Sequence, residues 1–529
     1  MKDDGCSLWD RFFSERVAQA LFLASVLFLL AVASVGWNCM LSPLYGFRQT
    51  QTAIAVTSLL NGGPWLAYET PVLGPPWSLP FEFPFYQWLV ALVAKSGLSA
   101  VDQAGRFVSE LFFFLSLLPL YKILGFLGTS PRQRYVILAL LCLSPQYLFW
   151  SRSFMIESTA LSLSLYFLWL VFLCRDALVA RRRSPWLIAA AALVGSLAGV
   201  VKVTTLFSFM AAACLVLAGY AVSCYRKEGV TRERALPFSL VVCALVGVPF
   251  AAVLAWTAYS DGLKLLNPLA QGLTSANLKA WNFGTLEQRL SLKTWSVFYH
   301  RTLSDLAGNS LAVVASLLAL LFCRRERALV GLVSLALFLL TLLTFTNLQF
   351  VHDYYCYANG IFLLVAVGVG VTGLMEQGSP LKRGAGTLLL ALVLFCSVQH
   401  YFAGLWNLQK IDFDFSEITS AVNSHSGPDD VFIVFGSDWS SEIPYHIGRR
   451  AAMIKNADLN DPLLAGLKQN LKGQRIGGIL FYTRNGFRAQ EEQFVVQALQ
   501  SFGITPGFNS IYPWYRNNSE LLMVFNKGR

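Results

Sequence analysis

Charge is what this sequence has least of. Asp, Glu, Lys and Arg make up 13% of its 529 residues, against 55% hydrophobic, and a soluble chain carries roughly twice that charged share. A soluble enzyme or binding module is thereby excluded, and the chain reads as an integral membrane protein. Its ten cysteines stand singly, mostly inside apolar runs, with no C-x-x-C and none beyond Cys396. That excludes a disulfide framework and a cysteine zinc site. The C-terminal region has no G-x-G-x-x-G, so a dinucleotide fingerprint is absent there. The N-terminus shows no small-residue cleavage site beside the apolar run from Val17 to Val35. That run is longer than a signal-peptide core and reads as an uncleaved first span.

What excess charge there is, +11, sits in short clusters between apolar runs. This is the pattern of cytoplasmic loops, not of a nucleic-acid surface, so no nucleic-acid partner is expected. Runs of roughly 17 to 25 apolar residues begin near Val17, Phe107, Tyr135, Ile156, Trp186, Thr205, Leu236, Leu306, Leu329, Gly360 and Thr387. The expected fold is mainly α: a polytopic membrane protein with about eleven transmembrane helices, plus a small C-terminal α/β domain on the outer side.

The stretch Phe83 to Ala94 is apolar but only as long as an interfacial helix. Charge decides its status. If it does not span, and Lys2, Arg11 and Arg16 lie inside, then Lys122/Arg132/Arg134, Arg175/Arg181/Arg182/Arg183, Arg226/Lys227/Arg232/Arg234, Arg324/Arg325/Arg327 and Lys382/Arg383 all face the cytoplasm. Were it to span, Arg181 to Arg183 would face outward, against the positive-inside rule. The same parity puts the tail after Trp406 outside.

Two domains are expected: 1–406 as the membrane domain, with 40–106 as its first outer loop, and 407–529 as the soluble domain. In the latter, Asp430–Gly436, Ile476–Tyr482 and Glu520–Asn526 read as strands, and Leu459–Leu471 and Ala489–Phe502 as helices. Alternation of this kind is that of an α/β fold. Every candidate ligand-binding residue named below precedes Trp406, so the tail is expected to be dispensable for ligand binding by the membrane domain.

Residues 40–106 are too polar, aromatic and proline-rich to cross a bilayer and too apolar for a linker, so they lie at the membrane surface. Glu69, in Y-E-T-P, and Glu82, in F-E-F-P, are the loop's only acids before Asp102. A partly dehydrated carboxylate suits a general base, or simply an anchor for Arg48 and Arg106. Arg48, beside Gln49 in R-Q-T-Q-T-A, suits a phosphate fork or headgroup snorkelling. Lys202 interrupts an apolar run at an outer end, where anchoring and phosphate binding are both open. Glu157 stands at the outer start of a helix, where an acid complements the dipole in any case. His352 and Asp353 in V-H-D-Y-Y-C-Y are adjacent, which argues against a two-ligand metal site on a helix. Tyr354 and Tyr355 suit sugar stacking or an interfacial belt.

One span, then a long outer loop ending in F-P-F-Y-Q-W and G-R-F-V-S, then many spans and a soluble tail: this order resembles the GT-C superfamily of polytopic glycosyltransferases. It resembles in particular the bacterial branch related to protein O-mannosyltransferases and the lipid A aminoarabinose transferase. The resemblance implies an inner-membrane enzyme, N-terminus cytoplasmic, that moves a sugar from a polyprenyl-phosphate donor to an envelope glycan, lipid or protein acceptor on the outer face. Where the family usually has an Asp or Asp-Glu pair, this chain has Arg48-Gln49; where relatives have Lys-Pro-Pro, it has Glu82-Phe83-Pro84. The resemblance therefore implies Glu69 or Glu82 as base, Arg48, Arg106 or Lys202 as phosphate ligands, and Glu157, His352, Asp353, Tyr354 and Tyr355 around the sugar or a metal. No cofactor is assigned, and a divalent cation is compatible with the chemistry. The competing readings are a lipid flippase or transporter and an inactive envelope scaffold.

Overall fold

A computed structural model describes residues 14–41, 45–228, 232–412, 414–455, 459–483, 489–516 and 519–526; Lys2 and Arg11 lie outside them. The chain forms two compact units. One comprises Met1–Asn38, Arg106–Ala255 and Lys279–Ile411; the other comprises Cys39–Gly105, Trp256–Leu278 and Asp412–Arg529. Residues 39–105, grouped by the sequence reading with the membrane helices, thus cluster with the tail.

The helices that matter below are α1 (Glu15–Ser34), α2 (Gly46–Leu60), α3 (Phe85–Lys95), α4 (Val101–Phe126), α5 (Pro131–Leu143), α6 (Glu157–Val179), α7 (Pro185–Glu228), α8 (Val248–Lys264), α9 (Arg325–Thr344), α10 (Cys356–Met375) and α11 (Pro380–His400). Among the described residues eight helices are long and apolar enough to cross a membrane, or nine if the pair Leu292–Ala307 and Ser310–Phe322, bent by 85°, is one span. The difference from eleven has identifiable causes. The runs from Trp186 and Thr205 form one 44-residue element, α7, interrupted by a single extended residue at Lys202. The run from Tyr135 forms α5, only 13 residues long, because Ser130 and Gln133 box its start and Ser144-Pro145 ends it. As expected, α3 has 11 residues, too short to span.

Within the first unit α10 is buried along its whole length, as suits a helix apolar on all sides. Glycines let its neighbours approach closely. A Cβ at Gly370 would collide with the carbonyl oxygen of Ser316, which is backbone and cannot swing aside. Gly370→Val is therefore expected to lower thermal stability in detergent by at least the ~1–3 kcal/mol typical of overpacking. Gly384→Ala in α11, where a Cβ meets nothing within 4 Å, should leave the melting temperature unchanged or raised.

The second unit is built on α12 (Ser416–His425), β1 (Val431–Phe435), β2 (Arg450–Ile454), α13 (Pro462–Asn470), β3 (Ile476–Thr483), α14 (Ala489–Ser501), β4 (Pro506–Arg516) and β5 (Ser519–Asn526). The sheet order is β2-β1-β3-β5-β4, with β1 parallel to β2 and β3 and β5 antiparallel to β3 and β4. The five elements expected in the tail fall on β1, α13, β3, α14 and β5. The two strands not anticipated are the edges: β2 reads R-A-A-M-I, with one β-branched residue, and β4 contains Pro513, which only an edge tolerates.

The outer edge of β2 is covered by the first loop. Ala451 N donates to the Pro71 carbonyl at 3.0 Å, Met453 N to Val72 at 2.9 Å, and Gly74 N to Ala451 at 3.1 Å. Asn267 Nδ2 ties the same stretch down through the carbonyls of Leu73, Gly74 and Pro76. Ile54, Val72 and Leu79 of the loop share one core with Phe432, Val434 and Met453 of the sheet.

Candidate functional site

In the first unit the polar chemistry gathers where three chain breaks meet. Glu157 is the first residue of α6, Lys202 is the extended residue inside α7, and His352 is extended backbone before a single 3-10 turn, Asp353–Tyr355, that leads into α10. Lys202 Nζ forms an ion pair with Glu157 Oε1, the two side chains being 10% and 3% exposed. The ammonium also lies 4.3 Å from the ring centre of Tyr355 and 5.5 Å from that of Tyr354, a cation–π setting.

His352 packs on both tyrosines, and Tyr354 on Trp150. The Asp353 carbonyl accepts from Gln146 Nε2 at 3.0 Å, and Ser158 Oγ meets the Tyr357 hydroxyl at 2.8 Å. Glu157 Oε2 is buried and accepts no hydrogen bond among the described residues. Burying a carboxylate is tolerable only when it is paired and its lone pairs are used. This one is paired through one oxygen and has a lone-pair oxygen without a hydrogen-bond partner among the described residues at the other, the atom able to accept a hydroxyl proton.

The structure therefore brings Glu157, Lys202, His352, Tyr354 and Tyr355 together, with Asp353 adjoining. Arg106 is placed elsewhere. It is buried in α4 and donates to the carbonyl of Trp37, while Arg152 donates to the carbonyls of Val35 and Gly36 at 2.5 and 2.9 Å. Two arginines thus satisfy carbonyls at and just beyond the end of α1. Among the described residues no three His, Cys, Asp or Glu side chains gather as metal ligands would.

The second unit has its own charged cluster, on the first loop. Arg48 of α2 pairs with Glu82 and donates to Gln51 Oε1 at 2.8 Å; Gln49 is buried on the same helix. Tyr68 holds the Glu82 segment, donating to the Glu82 carbonyl at 3.1 Å and accepting from Phe81 N at 2.9 Å. Burial, then the Glu82 charge, pushes its phenol well above the ordinary value, so it stays a donor at any working pH.

Phe81 stacks on Trp439. The Lys264 ammonium lies 4.8 Å from the Phe81 ring centre and 3.7 Å from Asp261. Sequence reasoning missed Lys264, although the signal was there: it is the cation that ends the apolar run of α8 in S-D-G-L-K. Glu69 pairs with Arg450 of β2 at 2.9 Å and accepts from Ser58 Oγ at 3.3 Å. No sequence signal links Glu69 to Arg450.

Solved structures of similar fold were found at low sequence identity. ArnT from Cupriavidus metallidurans, bound to undecaprenyl phosphate, aligns with a TM-score of 0.58 at 12% identity over 94% of this chain and 97% of that one. This chain has the GT-C fold. Two further GT-C structures agree. The archaeal oligosaccharyltransferase AglB from Archaeoglobus fulgidus, in complex with an inhibitory peptide and a dolichol-phosphate, aligns at TM-score 0.55 and 10% identity over 90% and 70% of the two chains. The mycobacterial arabinofuranosyltransferase AftD aligns at 0.53 and 15% over 97% of this chain and 40% of its own. No protein-family model and no curated protein sequence matches the chain. The GT-C likeness is thus one of architecture at low identity.

Proposed function

We propose that this chain is a GT-C glycosyltransferase of the bacterial inner membrane, transferring a sugar from a polyprenyl phosphate to an envelope acceptor on the outer face. The observation that carries the reading is the buried Lys202–Glu157 pair with its second carboxylate oxygen unpartnered among the described residues and two tyrosines beside the ammonium. The GT-C fold supports it, since ArnT and AglB were solved with polyprenyl-type phosphates bound. The topology we propose counts eleven crossings: α7 as two, the bent pair as one, and α5 with Pro145–Trp150 as one, leaving the N-terminus cytoplasmic and the tail outside.

In the reaction the acceptor hydroxyl attacks the anomeric carbon, the bond from that carbon to the donor phosphate breaks, and the polyprenyl phosphate leaves. The hydroxyl proton goes to a carboxylate, and cations stabilise the phosphate as it departs. Glu69 and Glu82 are engaged by Arg450 and Arg48, so we assign the proton to Glu157 Oε2, with Glu82 as the next candidate. Arg48 and Lys264 are the proposed phosphate ligands of the second unit and Lys202 that of the first. Tyr354, Tyr355 and His352 face the sugar.

A transporter would need a helix broken near the midplane around its substrate. The break at Lys202 instead separates two halves of near-spanning length, which suits a turn at one face. The reading is tested by mass spectrometry of polyprenyl-phosphate sugars and envelope glycans in a deletion strain. Accumulation of one polyprenyl-phosphate sugar with loss of one glycan substituent is expected; unchanged pools of both would overturn it. Arg48→Ala should weaken undecaprenyl-phosphate binding about 10- to 100-fold, the worth of a charged hydrogen bond, with Arg48→Lys intermediate because it keeps the charge and loses the fork.

A further inference from the structure

α4, α6, α7, α9 and α10 of the first unit enclose a cavity of about 650 Å³, within the size range of ligand sites. At one end its lining is Phe209, Leu337 and Phe362, all buried. Its other end is polar, with Arg175, Tyr220 and Ser223. From Phe209 to Ser223 the wall runs about 21 Å along α7, at ~1.5 Å per residue. One leaflet's share of a ~30 Å hydrocarbon core plus its interface has that depth.

Arg175 is the cation of the cavity lining, and it stands at the polar end. The Arg175 guanidinium lies 5.2 Å from the ring centre of Phe172 and 5.8 Å from that of Phe126. Its bonds to Asp176 Oδ1, at 2.6 and 3.0 Å, use two of its five N–H donors. Arg226 lies three residues past Ser223, and Arg325 four before Leu329, which also lines the cavity. At those spacings both sit one helical turn beyond the cavity on its own side. Along α6 this end is about 27 Å from Glu157, at the opposite face of the membrane from the Lys202 cluster.

We infer that the cavity binds an anionic glycerophospholipid of the leaflet that Arg175 faces, one acyl chain filling the apolar depth and the phosphodiester resting beside Arg175, Arg226 and Arg325. Charge at one end and apolar walls over a single leaflet's depth fit that ligand; a polyprenyl chain is far longer than a leaflet. The inference does not depend on the sugar-transfer reading.

The test is native mass spectrometry of the full chain in detergent with dioleoyl phosphatidylglycerol and dioleoyl phosphatidylcholine. One phosphatidylglycerol per chain should be retained, with a preference of about tenfold or more over phosphatidylcholine, as the charged contacts require. Arg175→Gln should reduce that preference several-fold. A Cβ at Gly219, which lines the cavity, meets nothing within 4 Å, so a side chain can start there, and Gly219→Phe should occupy the cavity and abolish retention while keeping the melting temperature. Equal retention of both lipids, retention undiminished in Gly219→Phe, or preferential retention of undecaprenyl phosphate would each overturn the assignment. If Gly219→Phe does not fold, the lipid preference of Arg175→Gln decides alone.

Discussion

Truncating the chain after Trp406 is expected to unfold residues 39–105 as well as to remove the tail. The loop supplies Ile54, Val72, Leu73 and Leu79 to a core whose other half is Phe432, Val434, Ala451 and Met453. Each such side chain is worth roughly 1.5–3 kcal/mol when buried, so four of them contribute about 6–12 kcal/mol, comparable to a whole domain's net stability of ~5–15 kcal/mol. The backbone bonds from Ala451 and Met453 to Pro71 and Val72 go with it. So do the Glu69–Arg450 pair, the Thr50–Ser441 hydroxyl contact at 2.9 Å, and the bond from Met40 N to Asp412 at 2.8 Å. The tail is thus expected to be needed for the fold of the first loop, although every proposed ligand precedes it in the chain. Hydrogen exchange should show residues 66–82 protected in the full chain and fully exchanging within the earliest time points in the truncated one, with tryptic cleavage appearing at Arg48. Equal protection of that segment in a monodisperse truncation would show that the loop folds without the sheet.

Glu157→Gln should lower sugar transfer by about 10²- to 10⁴-fold, the range for a lost general base, while undecaprenyl-phosphate binding changes little. Glutamine keeps an oxygen for Lys202 and much the same volume, so the fold should survive. Lys202→Met is the contrasting variant. It strands the Glu157 carboxylate, 3% exposed, without its cation, and breaking one half of a buried pair costs about 3–5 kcal/mol. Its melting temperature should therefore fall, and combining it with Glu157→Gln should restore stability without restoring transfer. A purely structural pair would recover both together. Glu82→Gln and Glu69→Gln are measured alongside. If Glu157→Gln turns over normally while Glu82→Gln loses activity by the same factor, the base is Glu82.

That the chain has many segments apolar enough to enter a membrane could be read from it alone, because this is a property of contiguous apolar length, whereas the breaks and mergers that reduce eleven runs to eight or nine such helices could not. The scarcity of charge, the runs from Val17 to Thr387 and the short Phe83–Ala94 helix all reduce to local composition. The same holds for β1, β3 and β5 of the tail, where central strands and the last strand are rich in Val, Ile, Leu and Phe. Edge strands were not legible in this way. β2 has too few β-branched residues and β4 has Pro513, and both are strands because of what pairs with them.

The site shows the same division more sharply. Residue type marked Glu157, Lys202, His352, Tyr354 and Tyr355 as candidates, but their meeting depends on α7 breaking at Lys202 beside the start of α6. Likewise Arg48 could be seen as a cation and Glu82 as an acid, yet their pairing, the placing of Lys264 against Phe81, and the reach of Glu69 across 381 residues to Arg450 are set by packing. An ion pair is a matter of distance after folding, and distance across the chain is the quantity that local composition does not carry.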